Sequence, residues 1–333
     1  MLALVVAVGL VAGALLIRRS LDGDEEVADD TVISPVVVDD LRIACPPIVV
    51  ESCRSIEGVE VVEETAGRTV ERLIDPTFDP AAADVDAWLV PLPWVGVAEQ
   101  LAGDDVLADP GNVLARSELV ILGWDERLEW LELYCGTVDW SCIGDHAGDE
   151  WVDIGGGVNA GAVDAAHRSP EESAIGLLEV GTIATDYFGD PDFASNQMDS
   201  TFRSWFSNLE EATGGSVGAA GETPVDEMLR IGPGGLDLVA ATRFEAEAAV
   251  ELREGSDDPV RFVAADDPTT ADLVLVGVSG APGEDSVSTV APELAAALDA
   301  AGWDPPGGPP PTSGLPNDGV MLALRMLWEV ITE

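Results

Sequence analysis

The 333 residues contain no lysine; all 15 cationic side chains are arginine. A Walker-type phosphate loop, which needs a lysine on the phosphates, is therefore excluded. No G-x-G-x-x-G turn occurs either, and Gly155-Gly156-Gly157 stands alone as a loop. Histidine appears only as His146 and His167, too few to build a histidine-rich metal centre. His146 lies in the acidic stretch Asp145–Glu150, which reads as a solvated loop. Asp22-Gly23-Asp24 and Asp190-Pro191-Asp192 do not follow the twelve-residue calcium-loop spacing. No metal, cofactor or catalytic residue is assigned, and carboxylates are so frequent that their pairing says nothing about acid–base chemistry. Aromatics are only 5% of the chain, so the core has to be mainly aliphatic, with nine tryptophans as its large anchors.

Positive charge as a whole is scarce. Sixty-three acids against 15 bases give a net charge of −48, which argues against nucleic acid or an anionic membrane face as a partner. The chain is nevertheless 47% hydrophobic, enough to fold, and long enough for two domains or one bilobal unit. Two readings of the missing lysine stay open. One is codon usage in a GC-rich genome. The other is adaptation to salt, since at ~1 M the Debye length is ~3 Å and a dense carboxylate surface is screened.

Residues 1–17 carry no charge and end at Arg18-Arg19. Seventeen helical residues span ~25 Å, the lower limit for a bilayer, so this segment is expected to be a single transmembrane anchor. Residues 18–40 are acidic and irregular and read as a tether. The arginine pair would place the body in the cytoplasm by the positive-inside rule. The cysteines oppose that. Cys45 and Cys53, and Cys135 and Cys142, form two local pairs too widely spaced for a zinc site and suited to two disulfides. The body is accordingly expected outside the cytoplasm, attached to the cell membrane through residues 1–17.

From residue 41 an α/β rhythm begins. Strands are expected at 41–45, 59–62, 86–90 and 119–122, the last a continuous apolar run as in a strand buried on both faces. Helices are expected at 69–73 and 95–101. Alternation of this kind predicts a parallel sheet. The segment 151–154 reads as a short strand. Helices follow at 171–187, opened by Ser169, Pro170 and two acids, then at 196–212 and 225–231. Residues 236–241, 260–263 and 272–276 return to strand, and 291–301 and 318–330 to helix. The chain thus leaves one lobe near residue 123 and re-enters it near 256.

Four stretches carry a resemblance: LRIACPP (41–47), DVDAWLVPLPW (84–94), RSPEESAIGLL (168–178) and GPGGLDLVAATRFEA (232–246). Their order resembles bacterial extracellular solute-binding proteins of the type II periplasmic fold, and the Pro170-x-x-Ser173-x-x-Gly176 pattern resembles molybdate-like binders. Gly234, Asp237 and Thr242 match that family's later strand. The resemblance implies a two-lobed α/β fold with lobe 1 at 41–122 and 256–333 and lobe 2 at 123–255. It further implies a monomer that closes around a small polar or anionic solute for an ABC permease. The chain departs from the family in having Pro46-Pro47 where such binders often place serine, and no lipoprotein cysteine.

Ligands of open parallel sheets sit beyond the carboxyl ends of the strands. That nominates Pro46 and Pro47 after the first strand and Trp94 as an apolar wall. It also nominates Ser169 and Ser173 at a helix start, and Thr242, Arg243 and Glu245 after the 236–241 strand, where arginine could clamp a carboxylate. Turn, core, capping and salt-bridge roles are the structural alternatives for each. A non-transport envelope interaction protein that keeps the bilobal fold without a solute site is the alternative function.

Overall fold

The computed structural model describes residues 41–103, 105–212, 223–265, 268–306 and 314–332. The anchor and tether expected at 1–40 lie outside them, and no helix among the described residues is long and apolar enough to cross a membrane. In chain order the elements are β1 (Leu41–Cys45), α1 (Val50–Arg54), β2 (Val59–Glu63), α2 (Ala66–Ile74), β3 (Ala87–Pro91) and α3 (Leu92–Ala102). Next come β4 (Ala115–Trp124), α4 (Asp125–Cys135), α5 (Trp140–Asp145), β5 (Ala165–Ala166), α6 (Gly176–Phe188), α7 (Ser200–Ala212) and α8 (Pro224–Ile231). The chain ends with β6 (Leu238–Thr242), α9 (Arg243–Leu252), β7 (Val260–Val263), β8 (Thr270–Gly277), α10 (Val287–Ala300) and α11 (Asp318–Thr332).

The strands run β2-β1-β3-β8-β4-β6-β5, with β7 also on β4. β4 divides this path. Its first residues, Ala115–Glu118, pair with β8, whereas Leu119–Gly123 pair with β6 and Ile121–Trp124 with β7. One half-sheet is therefore β2-β1-β3-β8, and the other is β6, β5 and β7, and among the described strands only β4 belongs to both. β7 and β8 lie along the same edge of β4, antiparallel to it, so the polypeptide crosses once outward and once back. The sheet is mixed, not the parallel one expected. β1, β2 and β3 are mutually parallel, but the two crossing segments must oppose each other.

Every residue of β4 from Leu119 onward is buried, with period-two alternation. Leu119 and Ile121 enter the main core, while Val120, Leu122 and Trp124 enter a second core with Val225 and Met228 of α8 and Ala246 and Ala249 of α9. The two cysteine pairs are closed as Cys45–Cys53 and Cys135–Cys142, each tying an element's end to the next helix.

Two expectations shift for local reasons. Residues 151–154 form a 3-10 turn instead of a strand, because the Trp151 indole donates to Asp237 at 2.7 Å and Gly155 turns the chain at φ +89°. The helix expected from 171 starts at Gly176. Ser169 Oγ accepts from the N–H groups of Glu171 and Glu172, and Ser173 N–H donates to the Ser169 carbonyl, so residues 170–175 coil back on themselves. A Cβ on residue 176 would meet the Ser169 carbonyl oxygen at 2.5 Å, which explains the glycine.

α11 packs on α3 of the first half and on α6 and α7 of the second. Its Arg325 donates to Glu171 at 2.9 Å, and its Trp328 indole to Glu210 at 3.1 Å. Glu210 also accepts from His167 Nε2 at 2.7 Å, while His167 Nδ1 faces the Arg168 carbonyl at 2.8 Å. Both ring nitrogens face acceptors, so the ring is an imidazolium. Burial lowers its pKa, but the charge and hydrogen bond of Glu210, with Glu179 behind, outweigh that and hold it at about 9.

Two predictions follow from these buried pairs. Asp237, fully buried, accepts from Arg127 Nε at 2.9 Å. Asp237→Ala strands a buried guanidinium and should cost about 3–5 kcal/mol in urea unfolding, whereas Glu51→Ala, in an exposed pair with Arg54, should cost less than ~1 kcal/mol. A similar loss in both variants would contradict this picture. His167 has a folded pKa of about 9, above its unfolded ~6.5, so the folded state holds the extra proton. Its contribution is complete below about pH 6.5 and fades as pH rises through 9. The urea midpoint should fall across that window in the native chain and lose that slope in His167→Gln.

Candidate functional site

The strand registers gather the carboxyl ends of both half-sheets around the crossing point. In the first half, Cys45 and Pro91 end β1 and β3, and Pro91 stands opposite Leu273 near the start of β8. Glu118 of β4 lies opposite Thr270 there. In the second half Leu119 pairs with Thr242, the last residue of β6, and β5 runs parallel to β6 so that its chain exits on the same side. This is the crevice in which the sequence places its candidate residues.

Most of those residues are engaged in the chain's own caps, turns and ion pairs. Trp94 is fully buried, and its indole N–H donates to the Ala174 carbonyl at 2.8 Å, next to Ser173. Ser169 and Ser173 share one turn, in which Ser169 Oγ accepts from Glu171 and Glu172 N–H and Ser173 Oγ accepts from Ile175 N–H. Thr242 is buried and caps α9 together with Glu245, its N–H and hydroxyl both donating to that carboxylate. Arg243 is bound to Glu118 of β4, with Nε 2.6 Å from Oε2. Pro46, buried, and Pro47, exposed, start a 3-10 turn after β1, beside the Cys45–Cys53 disulfide. His146, the other histidine, pairs with Asp149 at 3.1 Å.

Sequence reasoning missed the residue that organises this region. Arg168 is buried, and its guanidinium bridges Glu179 of α6 and Glu245 of α9. Burial opposes its charge, but Glu245 and Glu179 prevail and hold it well above the ordinary arginine range. Arginine is rare in this chain, and Arg168 stands directly before the Ser169 turn; that adjacency was the available signal. With Arg168, Arg243 and Arg325 all carrying carboxylates, an anion in the crevice would have to displace one of the chain's own acids. The contacts also join the halves. Besides the Trp94 and Arg325 links, Gly67 of α2 comes so near that a Cβ there would sit 3.3 Å from the Glu171 carbonyl oxygen.

Beside the crossing lies a cavity of about 570 Å³ that no sequence signal indicated. Its floor is β4 at Leu119–Ile121, with Ala240 of β6 and Val263–Ala265 at the end of β7. Its walls are the end of α4, the turn into α5 and one side of α6. Asp186 of α6 accepts the Trp140 N–H at 2.9 Å. Burial raises this carboxyl to about 6 despite that hydrogen bond, and Asp139 pushes in the same direction.

No protein-family model matches the chain, and no curated protein matches it. Solved structures do. The periplasmic binding protein P5PA superposes with a TM-score of 0.55 at 10% identity, over 89% of this chain and 100% of that one. A periplasmic thiamin-binding protein gives 0.54 at 10% identity, over 88% and 96%. The periplasmic binding protein AfuA from Actinobacillus pleuropneumoniae, with fructose-6-phosphate bound, gives 0.53 at 12% identity, over 88% and 95%. At this identity the likeness establishes architecture: the chain has the α/β fold of periplasmic binding proteins.

Proposed function

We propose that this chain is an extracytoplasmic solute-binding protein serving an ABC importer, with lobe 1 at 41–122 and 256–333 and lobe 2 at 123–255. The observation that carries the reading is the double crossing: β4 leads out, β7 and β8 lead back, and the strand ends of both halves meet there. Two segments crossing between half-sheets make a hinge, and hinge closure is how such a fold traps a ligand. Two closed disulfides support an oxidising compartment. Attachment through residues 1–17 belongs to the same proposal. The fold's solved relatives are named for binding, and the reading here is binding without chemistry.

The solute is polar and small, and the molybdate-like form of the resemblance is disfavoured. Arg168 and Arg243, which an oxyanion would use, are engaged by the carboxylates of Glu179, Glu245 and Glu118. The same observation favours one rival, an envelope interaction protein that keeps the fold and binds no solute.

Thermal unfolding of the full chain separates the two. At about 100 times Kd the matching solute should add ~2.7 kcal/mol of stability. A screen of oxyanions, sugars, amino acids, amines and metal ions is expected to yield at least one class that raises Tm. No rise with any class would decide for the interaction protein.

A further inference from the structure

We propose that the cavity beside the strand crossing is the solute pocket, and that it takes a primary ammonium carrying a short apolar or aromatic body. This deepens the solute-binding reading and rests on it for its physiological meaning. Three observations on the cavity agree.

Its volume of about 570 Å³ accommodates a small organic molecule. Its chemistry is one-sided: Glu132, Asp139, Glu179 and Asp186 line it, and no basic side chain does. The rest of the lining is mostly apolar, from Leu119, Ile121, Val138, Trp140, Ala240 and Val263, with Thr137 and Thr182 among them. Four carboxylates set in a mostly apolar lining match an amphipathic cation and oppose an anion.

The charges do not cancel locally. Arg261 answers Glu132 at 2.9 Å, and Arg168 answers Glu179 while also serving Glu245. Asp139 spends its carboxylate on capping α5, accepting the Cys142 N–H at 2.8 Å. Asp186 takes only a backbone N–H from α5 and faces Asp139 across the turn. The site therefore keeps excess negative charge that a ligand ammonium would neutralise at short range and low dielectric. Its position suits a binding protein. The floor is β4 and the end of β7, the segments that must bend when the halves move, so a ligand there contacts the hinge itself.

Asp186 also fixes the pH dependence. The groups facing it are Glu132 of α4, paired with Arg261; Asp139 and the Trp140 N–H from the turn into α5; and Glu179 and Thr182 on its own helix, Glu179 paired with Arg168. Its carboxyl titrates at about 6, and an ammonium favours the ionised form. Binding therefore releases a proton below that value, and affinity rises as pH rises through 6.

The test uses isothermal titration calorimetry on the full chain in 1 M NaCl, where diffuse attraction to a highly acidic protein is screened. The probes share one body and differ in head group: 2-phenylethylammonium, 2-phenylethanol and 3-phenylpropionate. The ammonium should bind at least about tenfold tighter than the alcohol, and the carboxylate should not bind. Asp186→Asn preserves the acceptor for Trp140 N–H and should weaken the ammonium about tenfold or more at pH 7.5, while the exposed Glu254→Gln leaves it unchanged. Below pH 6 the native affinity should fall by about tenfold per unit, and Asp186→Asn should remove that slope. Equal binding of alcohol and ammonium, or an unaffected Asp186→Asn, would overturn the cation assignment. If the phenylpropionate or a sugar raises Tm and the ammonium does not, this inference fails while the solute-binding reading stands. If nothing binds at all, both fail together.

Discussion

One ten-residue strand holds this molecule together. β4 begins as the partner of β8 and ends between β6 and β7, so both half-sheets hang on a single backbone ladder. That double duty dictates its composition. From Ile121 to Gly123 it has strand partners on both edges, and from Leu119 to Trp124 it has cores on both faces, which leaves no exposed position for a polar side chain. At Glu118, where partners change, a charged residue stands just before that stretch, and it is taken up by Arg243 from the first turn of α9. The crossing is thus a place where strand pairing changes along a continuous strand.

The second constraint is the shortage of cations. With 15 arginines against 63 acids and two histidines, a buried carboxylate is neutralised where one of these few cations is spent on it, as His167 is on Glu210. The structure shows where they went: Arg127 to Asp237, Arg168 to Glu179 and Glu245, Arg325 to Glu171, Arg116 to Asp272. Each joins segments distant in sequence, at a strand end or between helices. Guanidinium suits such work better than ammonium, because its fork can hold two carboxylates in fixed directions, as Arg168 does. The cost shows at the cavity, where Asp139 and Asp186 hold backbone N–H groups and no arginine among the described residues.

The strands at 41–45, 119–122 and 260–263 were legible because short apolar runs bounded by turns have few other interpretations. The pairing of β4 with β6, β7 and β8 was not legible, because the order of elements does not give strand partners. α4 was missed because Asp125–Cys135 alternates acids and apolar residues without a clean stripe, and only packing on β4 and α5 settles it. α9 was hidden because Thr242 and Glu245 read as ligand groups, whereas they form its capping box. Asp237 looked like a family mark and is the counter-charge of Arg127. The cavity was invisible because its walls come from residues near 120, 137, 182, 240 and 264, and no local pattern encodes their meeting.

These features bear on how such a protein could work. The polar ends of the crevice are joined to each other, by Trp94 to Ala174 and by Arg325 to Glu171, with α11 laid across both halves. A solute bridging the lobes there would compete with bonds the chain already makes, and each such exchange yields only the difference between two hydrogen bonds. In the cavity, Asp186 holds only the Trp140 N–H, so an ammonium there would compete with a single backbone donor and with no arginine. It would gain the full burial of its apolar body and the charge of an under-neutralised carboxylate while touching the strands that link the halves. Such a ligand would bear directly on the backbone segments that join the two half-sheets.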